Sequence, residues 1–157
     1  MKSIKILFAI FFITFLNNTI SAQEFDRTDP DGADEYFLQA IRNGDVKKAM
    51  TCFDKDAVYI GKDSKPVSGL DNIEKVVTAL CKMKPDIKVY EHQMAPVGTD
   101  MMYWLDKWSM TGTGPDGKQF EMKGASANMM RRNADEHWLW LVDNPFALPF
   151  FDTNEKK

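Results

Sequence analysis

Histidine and cysteine are both scarce in this chain, with two of each among 157 residues. His92 and His137 stand far apart, outside any His-x-His or His-Glu-x-x-His spacing, so no metal site is expected. Neither Cys52 nor Cys81 has a histidine neighbour in sequence, which removes support for a catalytic thiol. A bond between the two cysteines and a pair of separate buried thiols both stay open. Excess basic charge is missing too. Twenty Lys and Arg against 23 Asp and Glu give a net charge of −3. Nucleic-acid phosphates need a basic face, and the single pair Arg131-Arg132 is too small to supply one, so no nucleic-acid partner is expected.

Long hydrophobic runs are equally rare. The only one goes from Ile6 to Leu16, broken by Thr14, and its length of about 11 residues falls short of the roughly 20 that span a bilayer. Lys2 and Lys5 precede it, and Ile20-Ser21-Ala22 follows with residues suited to cleavage before Gln23. Residues 1–22 therefore read as a secretory signal peptide cleaved after Ala22, with no retained membrane span and a secreted or periplasmic destination. Losing Lys2 and Lys5 would leave the remaining chain more acidic. Residues 23–29 read as a polar leader, 30–148 as one domain, and 149–157 as a C-terminal tail. The apolar, proline-broken stretch Asn144 to Phe151 is expected to lie against the sheet or the mouth of a pocket.

What is present is a run of helices followed by a run of strands. Asp29 and Pro30 offer a cap and a first helical position, ahead of a one-sided stripe of Ala33, Tyr36, Phe37, Ala40 and Ile41. Gly44 ends that helix. A short second helix carries Val46, Ala49, Met50 and Phe53 on one face. A third is expected from Ser68, with Asp71 completing a capping box, a stripe of Ile73, Val76, Val77, Leu80 and Cys81, and Pro85 as its stop. Strands are expected over 57–60, 87–97, 101–113, 119–132 and 136–143, with turns at Lys62 to Lys65 and at Pro115-Asp116-Gly117. The fold class is α+β, with three helices on one face of a mostly antiparallel sheet.

The break Gly44-Asp45, the stretch Phe53-Asp54-Lys55-Asp56-Ala57-Val58, the lead Pro66-Val67-Ser68-Gly69, the turn Gly98-Thr99-Asp100 and Trp138 form one pattern. It resembles the nuclear transport factor 2-like superfamily, which includes ketosteroid isomerases and SnoaL-like polyketide cyclases. The resemblance implies a cone: a strongly curved, mostly antiparallel sheet with three N-terminal helices on its concave face. It also implies a homodimer formed sheet to sheet. Ketosteroid isomerases use a carboxylate base with a tyrosine and a protonated aspartic acid. The matching positions here are Phe37 (with Tyr36 beside it), Gly61 and Ala125, so that mechanism is not expected.

Strand alternation divides the long strand 101–113 into two faces. Met102, Trp104, Asp106, Trp108 and Met110 share one, which is assigned to the concave side. Phe120, Met122, Gly124, Ser126, Asn128 and Met130 continue it on the next strand, and Trp138, Trp140 and Val142 on the last. Asp106 would then enter an aromatic and thioether lining that raises its pKa, which makes it the candidate acid or base. Tyr59, Trp104, Trp108, Met122, Asn128, Trp138 and Trp140 are the candidate pocket residues. Asp143 and Asp56 read as turn or helix-cap acids. The same side chains could also do no more than fill a core, with Asp106 in a structural or polar-pocket role.

The opposite face holds Tyr103, Leu105, Ala125, Ala127, Met129, Leu139 and Leu141, a patch large enough to want a cover, from a second copy or from the C-terminal segment. Three functions are therefore weighed, in this order. The chain binds a small, mostly apolar molecule in the cone; it is a cyclase, isomerase or dehydratase using Asp106; or it docks another protein on its outer sheet face. No cofactor is implied.

Overall fold

The computed structural model describes residues 25–147, so the signal peptide expected over 1–22, its cleavage point and the tail over 149–157 lie outside the described residues. Helix α1 runs over Pro30–Arg42 and α2 over Val46–Met50. Strand β1 (Phe53–Ile60) and the short β2 (Pro66–Ser68) precede α3 (Leu70–Lys82). Strands β3 (Asp86–Val97), β4 (Met101–Thr113), β5 (Gln119–Arg132) and β6 (Trp138–Asp143) complete the order.

Helix α1 starts where the sequence offers a cap: the Asp29 carboxylate accepts the Gly32 N–H at 3.0 Å, with Pro30 at the first helical position. Asp45 caps α2 in the same way through Lys48 N–H at 2.9 Å. Between them Gly44 takes φ +69°, which allows the reversal from one helix to the next. The start of α3 departs from the expected capping box. Ser68 ends β2, and Gly69 at φ +85° stands at the cap position without a side-chain bond. Backbone pairing decides this, since Pro66, Val67 and Ser68 align with Ile60, Tyr59 and Val58.

The six strands lie in the order β2-β1-β6-β5-β4-β3, with only β1 and β6 parallel. The strand expected over 57–60 is longer than its apolar part. It begins at Phe53 and includes Asp54 and Asp56, because Arg131 on β5 bonds both carboxylates from the outer side of the sheet. The expected assignment of faces on β4 holds, with Trp104, Asp106, Trp108 and Met110 all buried.

The core lies between the concave side of the sheet and the helices. Phe37 meets Phe53 and Trp140 edge to face, with ring centres 5.6 and 6.4 Å apart, and Trp140 meets Trp104 at 5.9 Å. Rings of this size dominate core energetics, and such edge contacts add about 0.5–1.5 kcal/mol each beyond burial. Ile41, Ile73, Trp104 and Met130 are the largest fully enclosed side chains. Cys52 and Cys81 are both buried and both free.

Candidate functional site

The helices do not fill the cone. A cavity of about 100 Å³ remains between α1, α3 and the inner faces of β1 and β3–β6. Its walls are mostly apolar, from Phe37, Leu38, Val89, Trp108, Met110 and Trp140. Residues after β6 close one side. Asn144 N–H donates to Asn128 Oδ1 at 2.8 Å, Ala147 N–H to the Ala125 carbonyl at 2.8 Å, and Trp108 Nε1–H to the Pro145 carbonyl at 2.9 Å. Pro145 and Phe146 thereby become part of the lining.

Three carboxyls enter this apolar space: Asp34, Asp106 and Asp143, which are 8%, 8% and 9% exposed. Asp106 is held at both oxygens. Ser126 Oγ donates to Oδ1 at 2.8 Å and Trp104 Nε1–H to Oδ2 at 2.7 Å. Burial raises its pKa, while those two hydrogen bonds and the nearby His92 favour the ionised form. Asp34 and Asp143 differ. Among the described residues neither carboxyl receives a hydrogen bond that would favour its charge. Burial, followed by the Asp106 charge, pushes Asp34 well above the usual carboxylate range, and the same two causes bring Asp143 up to about 7. The three acids thus hold fewer than three negative charges at neutral pH, with Asp106 the best-supported anion.

Tyr59 pairs with Asp143 across the β1–β6 ladder and lines the same cavity, and burial, then the Asp143 charge, keeps its phenol protonated. Of the expected pocket residues, Tyr59, Trp108, Asn128 and Trp140 line the cavity together with Asp106. Trp104 lies behind it at 1% exposure, stacked on the His92 ring at 4.8 Å and holding Asp106. Trp138 is further off and donates its Nε1–H to the Thr28 carbonyl at 3.1 Å. Met122 faces a wider opening outside the cavity.

Asp34 and Asp143 are what sequence reading missed. Asp34 begins the series Asp34, Phe37, Leu38, Ile41, whose i, i+3, i+4, i+7 spacing put a carboxyl on the core side of α1 in plain view. Asp143 is not the turn acid it resembles. In β6, Trp140 pairs with Met130 while Val142 pairs with Met129, so Leu141 is an extra residue. A bulge of this kind reverses the faces beyond it, sending Val142 outward and Asp143 into the cone.

A family profile described as SnoaL-like domain matches residues 24–138, most of the helices and the sheet. The chain belongs to the SnoaL-like domain family. No curated protein matches it in sequence. Among solved structures it is similar to a candidate calcium/calmodulin-dependent protein kinase II association domain from Xanthomonas campestris, at 16% identity and a TM-score of 0.68, covering 76% of this chain and 85% of that one. It is similar to a candidate aromatic ring hydroxylase from Novosphingobium aromaticivorans, at 18% identity and 0.66, covering 75% and 85%. A nuclear transport factor 2-like superfamily protein from Salmonella enterica gives 13% identity and 0.63, covering 71% and 83%. At such identities the likeness establishes the cone fold of that superfamily and leaves chemistry to the residues.

Those residues are not the isomerase set. Phe37 lines the cavity without a hydroxyl, and neither Gly61 nor Ala125, the positions expected from the resemblance, is among the lining residues. The acids of this SnoaL-like domain come instead from α1, β4 and β6. A carboxyl near pKa 7 beside a fixed carboxylate can give or take a proton near neutral pH. The described residues present no cluster of metal-ligating groups.

Proposed function

We propose that this chain binds a small, mostly apolar molecule in its cone and moves a proton to or from it. Asp143 and Asp34 are the exchanging groups, kept protonated by burial and then by the charge on Asp106. One observation carries this reading: two carboxyls without hydrogen bonds among the described residues face an apolar cavity that has room for a ligand. A core acid with a purely structural role would be expected to have its oxygens occupied, as Asp106 has. The leader-like residues 1–22 support a secreted or periplasmic setting, which N-terminal sequencing of the native chain tests.

Native mass spectrometry of the chain from its own source, followed by denaturing extraction, would deliver the ligand. Incubating that molecule with protein in heavy water then reads proton transfer directly. Deuterium incorporation or conversion by the parent chain, lost in Asp143→Asn while binding persists, supports the reading. Binding without exchange reduces the protein to a carrier, and an empty cone that takes up nothing overturns both.

A second proposal concerns the outer sheet face. Leu105, Ala127, Met129, Leu139 and Leu141 are only partly covered there, and Tyr103 is 37% exposed. Charges beside this apolar patch are paired within the chain, Arg131 with Asp54 and Asp56, and Lys107 with Glu91 at 2.7 Å, while Glu121 and Lys123 lie towards the exposed end of β5. The face therefore asks a partner for apolar surface and not for charge. A second copy, packed sheet to sheet about a two-fold axis, supplies it.

A further inference from the structure

The cavity is not the end of the apolar space. A wider vestibule of about 610 Å³ adjoins it, and Tyr59, Leu80, Met110 and Phe146 belong to the lining of both. The vestibule opens between α3, the β1–β2 turn and the β4–β5 hairpin. Val76, Ala79, Met83, Phe120 and Met122 make it apolar.

Charge divides cleanly along this path. Among the described residues, the acidic ones lining the two spaces are all in the inner cavity, and the basic ones, Lys62 and Lys75, are in the vestibule. The β1–β2 turn places Lys62: Gly61 N–H donates to the Lys65 carbonyl at 3.3 Å and Ser64 N–H to the Gly61 carbonyl at 2.9 Å. Its ammonium stands 5.2 Å from the centre of the Phe146 ring and 3.9 Å from the Met122 sulfur, at the boundary between the two spaces. Lys75 comes from α3, where its ammonium donates to Asn72 Oδ1 at 3.0 Å. Lys65 and Lys118, on the neighbouring turns, are paired with Asp63 and Asp116. Among the described residues, Lys62 and Lys75 have no such carboxylate partner.

We propose that the ligand is an amphipathic anion. Its apolar body lies in the vestibule and cavity, and its carboxylate or comparable anionic group stays at the mouth between Lys62 and Lys75. This deepens the reading of the cone as a small-molecule site and rests on it. The opposite orientation fails on electrostatics, because an anionic head beside Asp106 would be desolvated and repelled. With the anion at the mouth, the far end of the molecule lies against Asp34 and Asp143, so the group that exchanges a proton is remote from the anionic one.

The test uses phenylalkanoates of increasing chain length and the matched phenylalkanols, titrated by calorimetry and by tryptophan fluorescence. For the best-fitting length the carboxylate should bind about tenfold more tightly than the alcohol, from two partly exposed ion pairs. The preference should shrink as salt rises. Lys62→Gln with Lys75→Gln should abolish it and leave alcohol affinity unchanged, whereas Lys65→Gln should preserve it. Both lysines are exposed, so the fold is not at risk. Equal affinity for acid and alcohol, or a preference that survives the double substitution, overturns the anion assignment while leaving the small-molecule reading intact. No binding by either series at any length overturns both.

Discussion

Trp108 lies directly over Gly124, its partner across the β4–β5 ladder, and a methyl group added at Gly124 would overlap the six-membered ring of the indole. The glycine gives room for the ring that forms one wall of the cavity. Gly124→Ala should therefore either displace Trp108 or bend the sheet, at a cost of about 1–3 kcal/mol. Thermal unfolding checks the size of the loss. Pairing Gly124→Ala with Trp108→Leu should recover much of it, since the two residues are in contact and their effects are not additive. Equal losses with and without the indole would count against the close approach.

Asp143 supplies a pH signature. Its pKa is about 7 in the fold, against about 3.9 in an unfolded chain. Between these values the folded protein holds the extra proton, so stability is greatest at the acid end of the window and falls as pH rises through about 7. Asp34 is shifted in the same direction and adds to the slope. Asp54, which Arg131 holds below the usual carboxylate range, acts oppositely, and only at the acid end where it begins to protonate. Asp143→Asn should flatten the fall in melting temperature between about pH 5 and pH 8 and should be more stable than the parent at the alkaline end. An unchanged slope would mean that Asp143 titrates as an ordinary carboxylate.

Ser126→Ala should move Asp106 in one direction and both Asp34 and Asp143 in the other. Removing the hydroxyl takes away a hydrogen bond that favours the Asp106 anion, so the Asp106 pKa rises. With less charge on Asp106, the repulsion that raises Asp34 and Asp143 weakens, and their pKa values fall. Carbon-13 NMR of labelled aspartate carboxyls follows all three in one titration. Shifts of one sign throughout would show that the acids are not coupled through Asp106.

The sequence made the scaffold legible because its strongest signals are local and periodic. The stripe Ala33 to Ile41, the break at Gly44 and the alternation along 101–113 each reflect one face meeting the core, and each reappears in place. The same alternation put Asp106 inside. It put Val142 inside and so left Asp143 to read as a turn acid, because the bulge at Leu141 depends on β6 meeting both β5 and β1, a long-range event with no local mark. β2 escaped for a similar reason, since Pro66 to Ser68 form a strand only by borrowing the edge of β1. Asp34 carries a local signal as well, since it shares the inward stripe of α1 with Phe37, Leu38 and Ile41.

The outer face provides the last prediction. If a second copy covers Leu105 and Leu139, then placing a carboxylate at either one buries an unpaired charge in an apolar contact, which association cannot tolerate. Leu105→Glu and Leu139→Glu should each convert a dimer to a monomer in sedimentation equilibrium, with the cone unchanged by near-ultraviolet circular dichroism. Glu121→Gln, on the exposed outer part of β5, should leave association intact. A parent chain that sediments as a monomer overturns the dimer and leaves that face to the tail or to another protein. A dimer that survives both substitutions places its contact elsewhere on the molecule. Because Asp143 owes its inward position to the edge shared by β6 with β1 and β5, a partner sheet pressing on Leu139 would also stiffen the strand that carries the acid. The monomeric variants should therefore show faster amide exchange along β6 than the parent dimer.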